Sequence, residues 1–168
     1  MKFTAKIAML LVAVFITSIS GAQDKKPASP ATTAKGKIKG SEITISYSSP
    51  FVKGRAIWGE LVPYSKVWRA GANAPTTIET SKDLKVEGKT LPAGKYAIYV
   101  IPEKGSATVI FGKDIKMSAH DYDKAKDQLS VKVKTKKSAK MNESLVYTIN
   151  KDNITLSWEN LDIPVSVK

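Results

Sequence analysis

The chain has 168 residues, of which 27 are basic and 15 acidic, with one histidine and no cysteine. This length is enough for one domain with a sizeable core and too short for two ordinary domains. The lack of cysteine excludes a disulfide framework and a lipid-modified N-terminal cysteine, and the net charge of +12 favours anionic partners.

The N-terminal 22 residues have the pattern of a signal peptide. Lys2 and Lys6 precede the apolar run IAMLLVAVFI, which is shorter than the roughly 20 residues that span a bilayer. Ser20 and Ala22 supply the small residues of a cleavage site. We expect cleavage after Ala22 and a periplasmic or secreted mature chain without a transmembrane span. Because residues 1–22 contain two lysines and no acidic residue, the mature net charge is +10; after export, nucleic acid is not an expected partner.

Residues 23–36 read QDKKPASPATTAKG and have no hydrophobic period. A composition rich in Pro, Ala, Ser, Thr and Lys is typical of a tether that buries too little apolar surface to become ordered. The sequence therefore predicts a flexible linker over 23–36 and a single domain over 37–168.

From residue 37 onward, apolar and polar residues alternate in short segments, as in strands with one buried face. In EITISY, for example, Ile43, Ile45 and Tyr47 share a face. Turns are predicted in EG at 87–88 and in LPAG at 91–94. The other predicted strands are AIWGELV, PTTIETS, DLKVE, KYAIYVI, ATVIFG, QLSVKVK, SLVYTI, NITLSWEN and IPVSV.

No segment after the signal peptide repeats apolar residues at helical spacing over three turns, and DYDKAKDQL predicts one helical turn at most. About ten short strands joined by turns predict an all-β fold, a single-domain antiparallel β-sandwich of immunoglobulin-like or jelly-roll type. A closed up-and-down barrel is the alternative architecture.

Three motifs, GELVPY, VWRAGAN and LPAGKYAIY, follow one another in this order, and YDKAKDQLSVKV and LSWEN come after them. Through them, residues 42–168 resemble the DUF2911 family, a domain of unknown function found in exported proteins of Bacteroidetes-type bacteria. The resemblance implies a β-rich domain in the cell envelope and brings no established activity or catalytic residues. Relatives often carry Trp-Gly before the YD segment, where this chain has Met117 and Ser118. If that tryptophan belongs to a ligand surface, this chain lacks one aromatic residue of that surface.

The single histidine, His120, lies in SAHDYDK beside Asp121 and Asp123. A hydrolase would use it as a general base, with Ser118 or another serine as nucleophile. Neighbours at this spacing in a loop rarely form a triad, and the sequence contains no G-x-S-x-G elbow. One histidine without cysteine offers too few zinc ligands, and the lysines within DYDKAKD oppose calcium. The sequence therefore predicts no catalytic residue, metal or cofactor.

Lysines crowd the stretch from 124 to 140. In SVKVKTKK they alternate with valines, and strands often carry lysine on edges and solvent faces to prevent strand addition. The second interpretation is a patch that binds an anionic ligand. This lysine patch comprises Lys124, Lys126, Lys132, Lys134, Lys136, Lys137 and Lys140.

The stretch KVWRAGANAPTT predicts a folded corner. Trp68 is a core residue by size, and Gly71 and Asn73 are types that tolerate positive φ, so the chain is expected to turn sharply here. Arg69 is expected to bind loop carbonyls or to pair with Glu60.

The same corner is also a candidate ligand shelf. In this second interpretation Arg69 and Asn73 form hydrogen bonds with a sugar or small anion, and Trp58 or Tyr64 offers a stacking face. His120 completes the set of candidate binding residues if the fold brings it to the same surface.

The leading functional hypothesis is an exported, non-catalytic binding module for an envelope component, either a glycan or an anionic polymer. The alternative is a hydrolase that acts on such a component through His120 and nearby acids. A structural or assembly role through a sheet edge or face is the third hypothesis.

Overall fold

The computed structural model describes residues 27–168, which are built almost entirely of strands. Lys124–Lys126 forms a single 3₁₀ turn, as DYDKAKDQL predicts. The strands are β1 (Ala31–Ile38), β2 (Ser41–Ser48), β3 (Thr77–Thr80), β4 (Leu84–Val86), β5 (Lys89–Leu91), β6 (Gly94–Glu103), β7 (Ser106–Gly112), β8 (Asp127–Lys134), β9 (Lys136–Ile149) and β10 (Asn153–Ser166).

Six strands form the larger sheet in the order β1-β2-β3-β6-β7-β8, and all neighbours are antiparallel. Sequential strands are adjacent except where the β4-β5 hairpin is inserted between β3 and β6. The predicted all-β, antiparallel, single-domain fold is confirmed. No helix among residues 27–168 is long and apolar enough to cross a membrane. The predicted signal peptide lies outside the described residues.

The long β9-β10 hairpin packs across the larger sheet. Its apolar residues, among them Leu156 and Ile163, meet Ile98, Val100 and Phe111 of the sheet around an apolar cavity of about 30 Å³. Such a cavity has room for about one water and offers it almost no polar partner. The shared core makes the two layers one sandwich-like unit.

The two layers are also joined by backbone pairing. After β2 the chain crosses to β9, where Phe51 pairs with Ser144 and the Leu145 N–H donates to the Pro50 carbonyl at 3.0 Å. At the other side Val86 of β4 pairs with Val167, beyond the end of β10. The first pairing fixes the position of the loop that follows β2, and the second joins the β4-β5 hairpin to the residue after β10.

The predicted linker is wrong for residues 31–36, because these residues belong to β1. β1 pairs with β2 from Ala31 opposite Ser48 to Ile38 opposite Ser41. Ile38 is fully buried, whereas most other side chains of β1 are exposed or half-buried. Pairing with β2 therefore holds this polar segment in the sheet, and the hydrophobicity of β1 itself contributes little.

The predicted strand AIWGELV is also wrong. Residues 56–62 form a tight loop in which only an isolated bridge joins Trp58 to Val62. Gly59 adopts φ 91° there, and its N–H donates to the Val62 carbonyl at 2.9 Å. The segment is rich in apolar residues because Ile57 and Val62 are buried in the core from this loop, whereas Leu61 is exposed.

Candidate functional site

The 28 residues between β2 and β3, numbers 49–76, form a long connection without a regular strand. Ordered loops of more than about 15 residues are uncommon and are usually functional. Four residues other than glycine have positive φ in this loop, namely Lys53, Ser65, Ala70 and Asn73. Such backbone conformations cost free energy and cluster at functional sites. This loop is therefore the main candidate for a functional site.

All three tryptophans of the chain meet beside this loop. The rings of Trp68 and Trp158 are stacked, with centroids 5.8 Å apart and an interplanar angle of 17°. Trp58 meets both edge-on, at 5.7 and 6.2 Å, and its indole N–H donates to the Trp158 carbonyl at 3.3 Å. Trp158 is 1% exposed and lies in β10 next to Glu159, where the strand has a bulge and φ is 54°. Trp58 and Trp68 are half-buried.

The corner at residues 70–76 is held by buried hydrogen bonds. The carbonyl of Ala70 accepts from the Tyr147 hydroxyl at 2.8 Å and from the Thr76 hydroxyl at 3.1 Å. Ala70 itself has φ 53°. Gly71 does not have positive φ, and its lack of a side chain serves close packing, because a Cβ there would lie 2.5 Å from Thr76 Oγ1. The predicted turn is therefore present, with Ala70 and Asn73 as its left-handed residues.

A cleft of about 230 Å³ opens beside the tryptophans. Arg55 and Arg69 both line it. Arg55 Nε donates to the Val52 carbonyl at 3.0 Å, and its Nη2 donates to the Phe51 carbonyl. Arg69 Nη1 donates to the Asn73 carbonyl at 3.1 Å. The other lining residues are Ser29, Pro50, Leu61, Val62, Trp68, Gly71, Ala72 and Trp158.

The charge of the cleft is positive. Among the described residues that line it there is no aspartate or glutamate, and neither arginine has a carboxylate within 4 Å among residues 27–168. The sequence contains 25 lysines and only two arginines, and these two arginines are the ones in the cleft. Guanidinium groups in partly enclosed sites bind carboxylate or phosphate through paired N–H donors, so the cleft has the chemistry of an anion site.

Comparison with known families gives a match over residues 29–167 to the family described as "Protein of unknown function (DUF2911)". The match covers most of the chain. The chain belongs to this family. The resemblance carried by GELVPY, VWRAGAN and LPAGKYAIY is thereby confirmed. Searches of curated proteins and of solved structures find no match.

Of the five candidate binding residues, Arg69 lines the cleft of this DUF2911 member, and Trp58 and Asn73 contact residues that line it. Trp58 belongs to the tryptophan cluster, and Tyr64 packs on Gly59, whose Cβ position lies 2.9 Å from the tyrosine ring. Arg69 binds the loop carbonyl of Asn73, the first of its two predicted roles; no ion pair with Glu60 is present among the described residues. Asn73 is exposed, and its amide donates to the Ser29 carbonyl at 3.3 Å.

His120 lies elsewhere. The backbone of Trp68 pairs with that of Val100 in β6, and both side chains belong to the main core on the inner face of the larger sheet. Tyr99, the neighbour of Val100, points to the outer face and meets Tyr122 edge-on at 5.3 Å. His120, two residues before Tyr122, therefore belongs to the loop that covers the outer face, and the fold does not bring it to the cleft.

The Tyr122 hydroxyl donates to Asp127 Oδ2 at 2.7 Å. Burial, followed by this bond to the carboxylate, raises the pKa of Tyr122 well above its usual range. The contact fastens the His120 loop to the start of β8 and is structural.

The lysine patch is exposed throughout. Lys132 and Lys134 alternate with buried Val131 and Val133 on β8, as predicted. Lys126 pairs with Asp114 at 3.0 Å, and the other six lysines of the patch have no carboxylate within 4 Å among the described residues. Lys136 lines a cavity of about 320 Å³ together with Glu87 and Asp152, and no other lysine of the patch lines one of the principal cavities of residues 27–168.

Arg55 and Trp158 line the cleft and were not among the binding residues predicted from the sequence. Arg55 stands in a segment, FVKGRA, that resembles an ordinary polar turn, and Trp158 stands in an ordinary strand pattern. The rarity of arginine beside 25 lysines is the one sequence feature that points to Arg55 and Arg69 together. No sequence pattern connects Trp158 to residues about one hundred positions earlier.

Proposed function

We propose that this protein is exported and acts as a non-catalytic binding module that holds an anionic component of the cell envelope in the arginine-tryptophan cleft. The observation that carries the proposal is that the two arginines of the chain line one cleft with Trp68 and Trp158, without an acidic residue among its lining. The mature charge of +10 adds long-range attraction for the same class of ligand.

Binding fits this cleft better than catalysis does. The described residues that line it include no histidine, aspartate, glutamate or cysteine, so no side chain there has the pKa of an ordinary general acid or base. His120 and its neighbouring aspartates, which the hydrolase hypothesis needs, lie on the outer face of the larger sheet. An anion site needs only fixed donors and a shaped surface.

Between a neutral glycan and an anionic polymer, the cleft favours the anion. Sugar hydroxyls require acceptors as well as donors, and the lining side chains include no carboxylate or carboxamide. Both guanidinium groups donate and neither accepts. An acceptor-rich anionic group therefore matches the lining, whereas a neutral sugar has no charged group to pair with the two guanidinium groups.

The experiment uses the mature chain, which we expect to begin at Gln23; intact mass of the exported protein checks this start. Because Trp68 and Trp158 line the cleft and Trp58 contacts both of them, tryptophan emission reports on the cleft. We expect polyuronate and polyphosphate to change the emission in a saturable manner, less at higher salt, and neutral dextran to leave it unchanged. Calorimetric titration of the same pairs gives an independent measure of binding.

The matched variants remove equal charge at two places. Arg55→Gln with Arg69→Gln removes two charges from the cleft, and Lys132→Gln with Lys134→Gln removes two from the lysine patch. We expect the first pair to abolish binding and the second pair to weaken it slightly. Equal weakening by both pairs would show that the whole surface charge binds the polymer and would refute the assignment to the cleft.

A further inference from the structure

The donors that the two arginines leave unused point to a more specific ligand, and this inference rests on the proposed function. Arg55 employs Nε and Nη2 in its bonds to the loop, which leaves Nη1 without a partner among the described residues. Arg69 employs Nη1, which leaves Nε and Nη2. A guanidinium group has five N–H donors, and Nε with Nη2 forms one of its paired edges. Each arginine is thus anchored by the loop and still presents donors to a ligand.

The positive charge of the cleft favours a dianionic ligand. Two guanidinium groups carry a charge of +2, and the described lining residues supply no negative charge to balance it. A carboxylate would balance one of the two charges, whereas a phosphate monoester carries about −1.5 to −2 at neutral pH and offers three acceptor oxygens. The phosphate monoester therefore satisfies more donors with one group.

The volume of the cleft and its apolar walls indicate which chemical group bears the phosphate. Its volume of about 230 Å³ is below the roughly 300–1,000 Å³ of pockets for drug-sized ligands. It has room for one ring with its substituent, or for one unit of a polymer. Trp68, half-buried and stacked on Trp158, and Leu61, 47% exposed at the rim, supply the apolar walls against which a ring packs.

One further donor lies beside the cleft. The indole N–H of Trp158 is buried and has no hydrogen-bond partner among the described residues, although Trp158 lines the cleft. Buried donors without partners are rare in folded proteins and call for an explanation. A water or a ligand oxygen that reaches this N–H would supply the missing acceptor.

We infer that the cleft is a site for a single phosphorylated sugar ring, with the phosphate monoester between Arg55 and Arg69 and the ring against Trp68. Recognition then depends on the planar, forked guanidinium groups and not on positive charge alone. This distinguishes the cleft from the lysine patch, which has charge without fixed donor geometry.

The test compares one-ring probes that differ in one substituent: glucose 6-phosphate, glucuronate, glucose 6-sulfate and glucose, with inorganic phosphate as the anion without a ring. Tryptophan emission and calorimetry follow each titration of the mature protein. We expect glucose 6-phosphate to bind at least about tenfold more tightly than glucuronate or the sulfate, because these monoanions leave one guanidinium unbalanced. Glucose is expected not to bind, and inorganic phosphate to bind more weakly than the sugar phosphate.

Charge-conserving variants test the geometry. Arg69→Lys and Arg55→Lys keep the net charge and lose the planar fork, so each is expected to weaken glucose 6-phosphate binding about tenfold or more. The double variant Lys132→Gln/Lys134→Gln should bind as the parent does. Thermal unfolding of each variant checks that the fold is retained, and unchanged affinity in the folded arginine-to-lysine variants would overturn the inference.

The outcomes separate this inference from the proposed function. Tighter binding of glucuronate than of glucose 6-phosphate, lost in the arginine variants, overturns the phosphate assignment and leaves an anion-binding module. Failure of all one-ring probes, with arginine-dependent binding of anionic polymers, overturns the single-ring site alone. Failure of the polymers as well overturns both proposals.

Discussion

Replacement of Gly71 by alanine tests the packing that sets the corner of the cleft. The new Cβ would lie 2.5 Å from Thr76 Oγ1 and 3.3 Å from the Ser48 carbonyl oxygen. Thr76 is fully buried, and its hydroxyl is committed to the Ala70 carbonyl at 3.1 Å. The side chain of Thr76 therefore has no open space to move into, and it loses its hydrogen bond if it moves.

Two terms determine the size of the effect. Overpacking of a well-packed interior costs about 1–3 kcal/mol, and loss of one buried hydrogen bond costs about 1 kcal/mol. We expect Gly71→Ala to lower the free energy of unfolding by about 2–3 kcal/mol. Urea unfolding followed by tryptophan emission measures this value.

A double-mutant cycle with Thr76→Ala identifies the contact. Removal of Oγ1 eliminates the closest clash and leaves the Ser48 contact at 3.3 Å, so Gly71→Ala should cost less than about 1 kcal/mol in the Thr76→Ala background. The two substitutions are then strongly non-additive. Additivity to within about 0.5 kcal/mol would show that Gly71 and Thr76 are not coupled and would refute the close approach described for this corner.

Three other predictions follow from contacts outside the cleft. Tyr147→Phe should cost about 1–2 kcal/mol in urea unfolding, because the Ala70 carbonyl loses a buried donor. Burial raises the folded-state pKa of Tyr147 well above 10, so the parent should lose stability as the pH rises beyond about 10, where the unfolded chain deprotonates, and the variant should lose less. Deletion of residues 1–38, compared with deletion of residues 1–28, should lower the unfolding free energy by at least about 2 kcal/mol, because it removes β1 and the fully buried Ile38; equal unfolding midpoints would contradict the role of β1. The hydrogen bond from Lys126 lowers the pKa of Asp114, so Lys126→Met should raise this pKa in an NMR titration. Because the pKa of Asp114 is depressed in the folded state, the ion pair stabilises the fold above the ordinary Asp pKa. This stabilisation declines as the pH falls through the folded-state pKa.

Some of the strands that the sequence predicts have one buried face. In β2 and β8, apolar side chains alternate strictly with polar ones, and the structure buries the apolar face of each. The period of two is a local property, because successive side chains of any extended chain point to opposite sides. It can therefore be read without knowledge of the strand's partner.

The elements that were predicted wrongly depend on partners far along the chain. β1 has the composition of a tether and becomes a strand through its pairing with β2. Residues 56–62 have the apolar composition of a strand and form a loop, in which Ile57 and Val62 are buried in the core from an irregular backbone. Composition alone does not distinguish these cases, because the deciding hydrogen bonds are tertiary.

The sequence by itself determined the all-β class, most of the strands, the corner at VWRAGAN, the family and the excess of positive charge, because each depends on local periodicity, turn chemistry, motif order or composition. Only the tertiary structure determined which residues lie near this corner. It brought Trp158 from β10 to Trp58 and Trp68, placed Arg55 with Arg69 on one cleft, and left His120 on the opposite face of the sheet. Residues separated by about one hundred positions meet only because the β9-β10 hairpin packs across the larger sheet. That packing depends on burial of apolar side chains between distant segments, and no local pattern in the sequence specifies which segments meet.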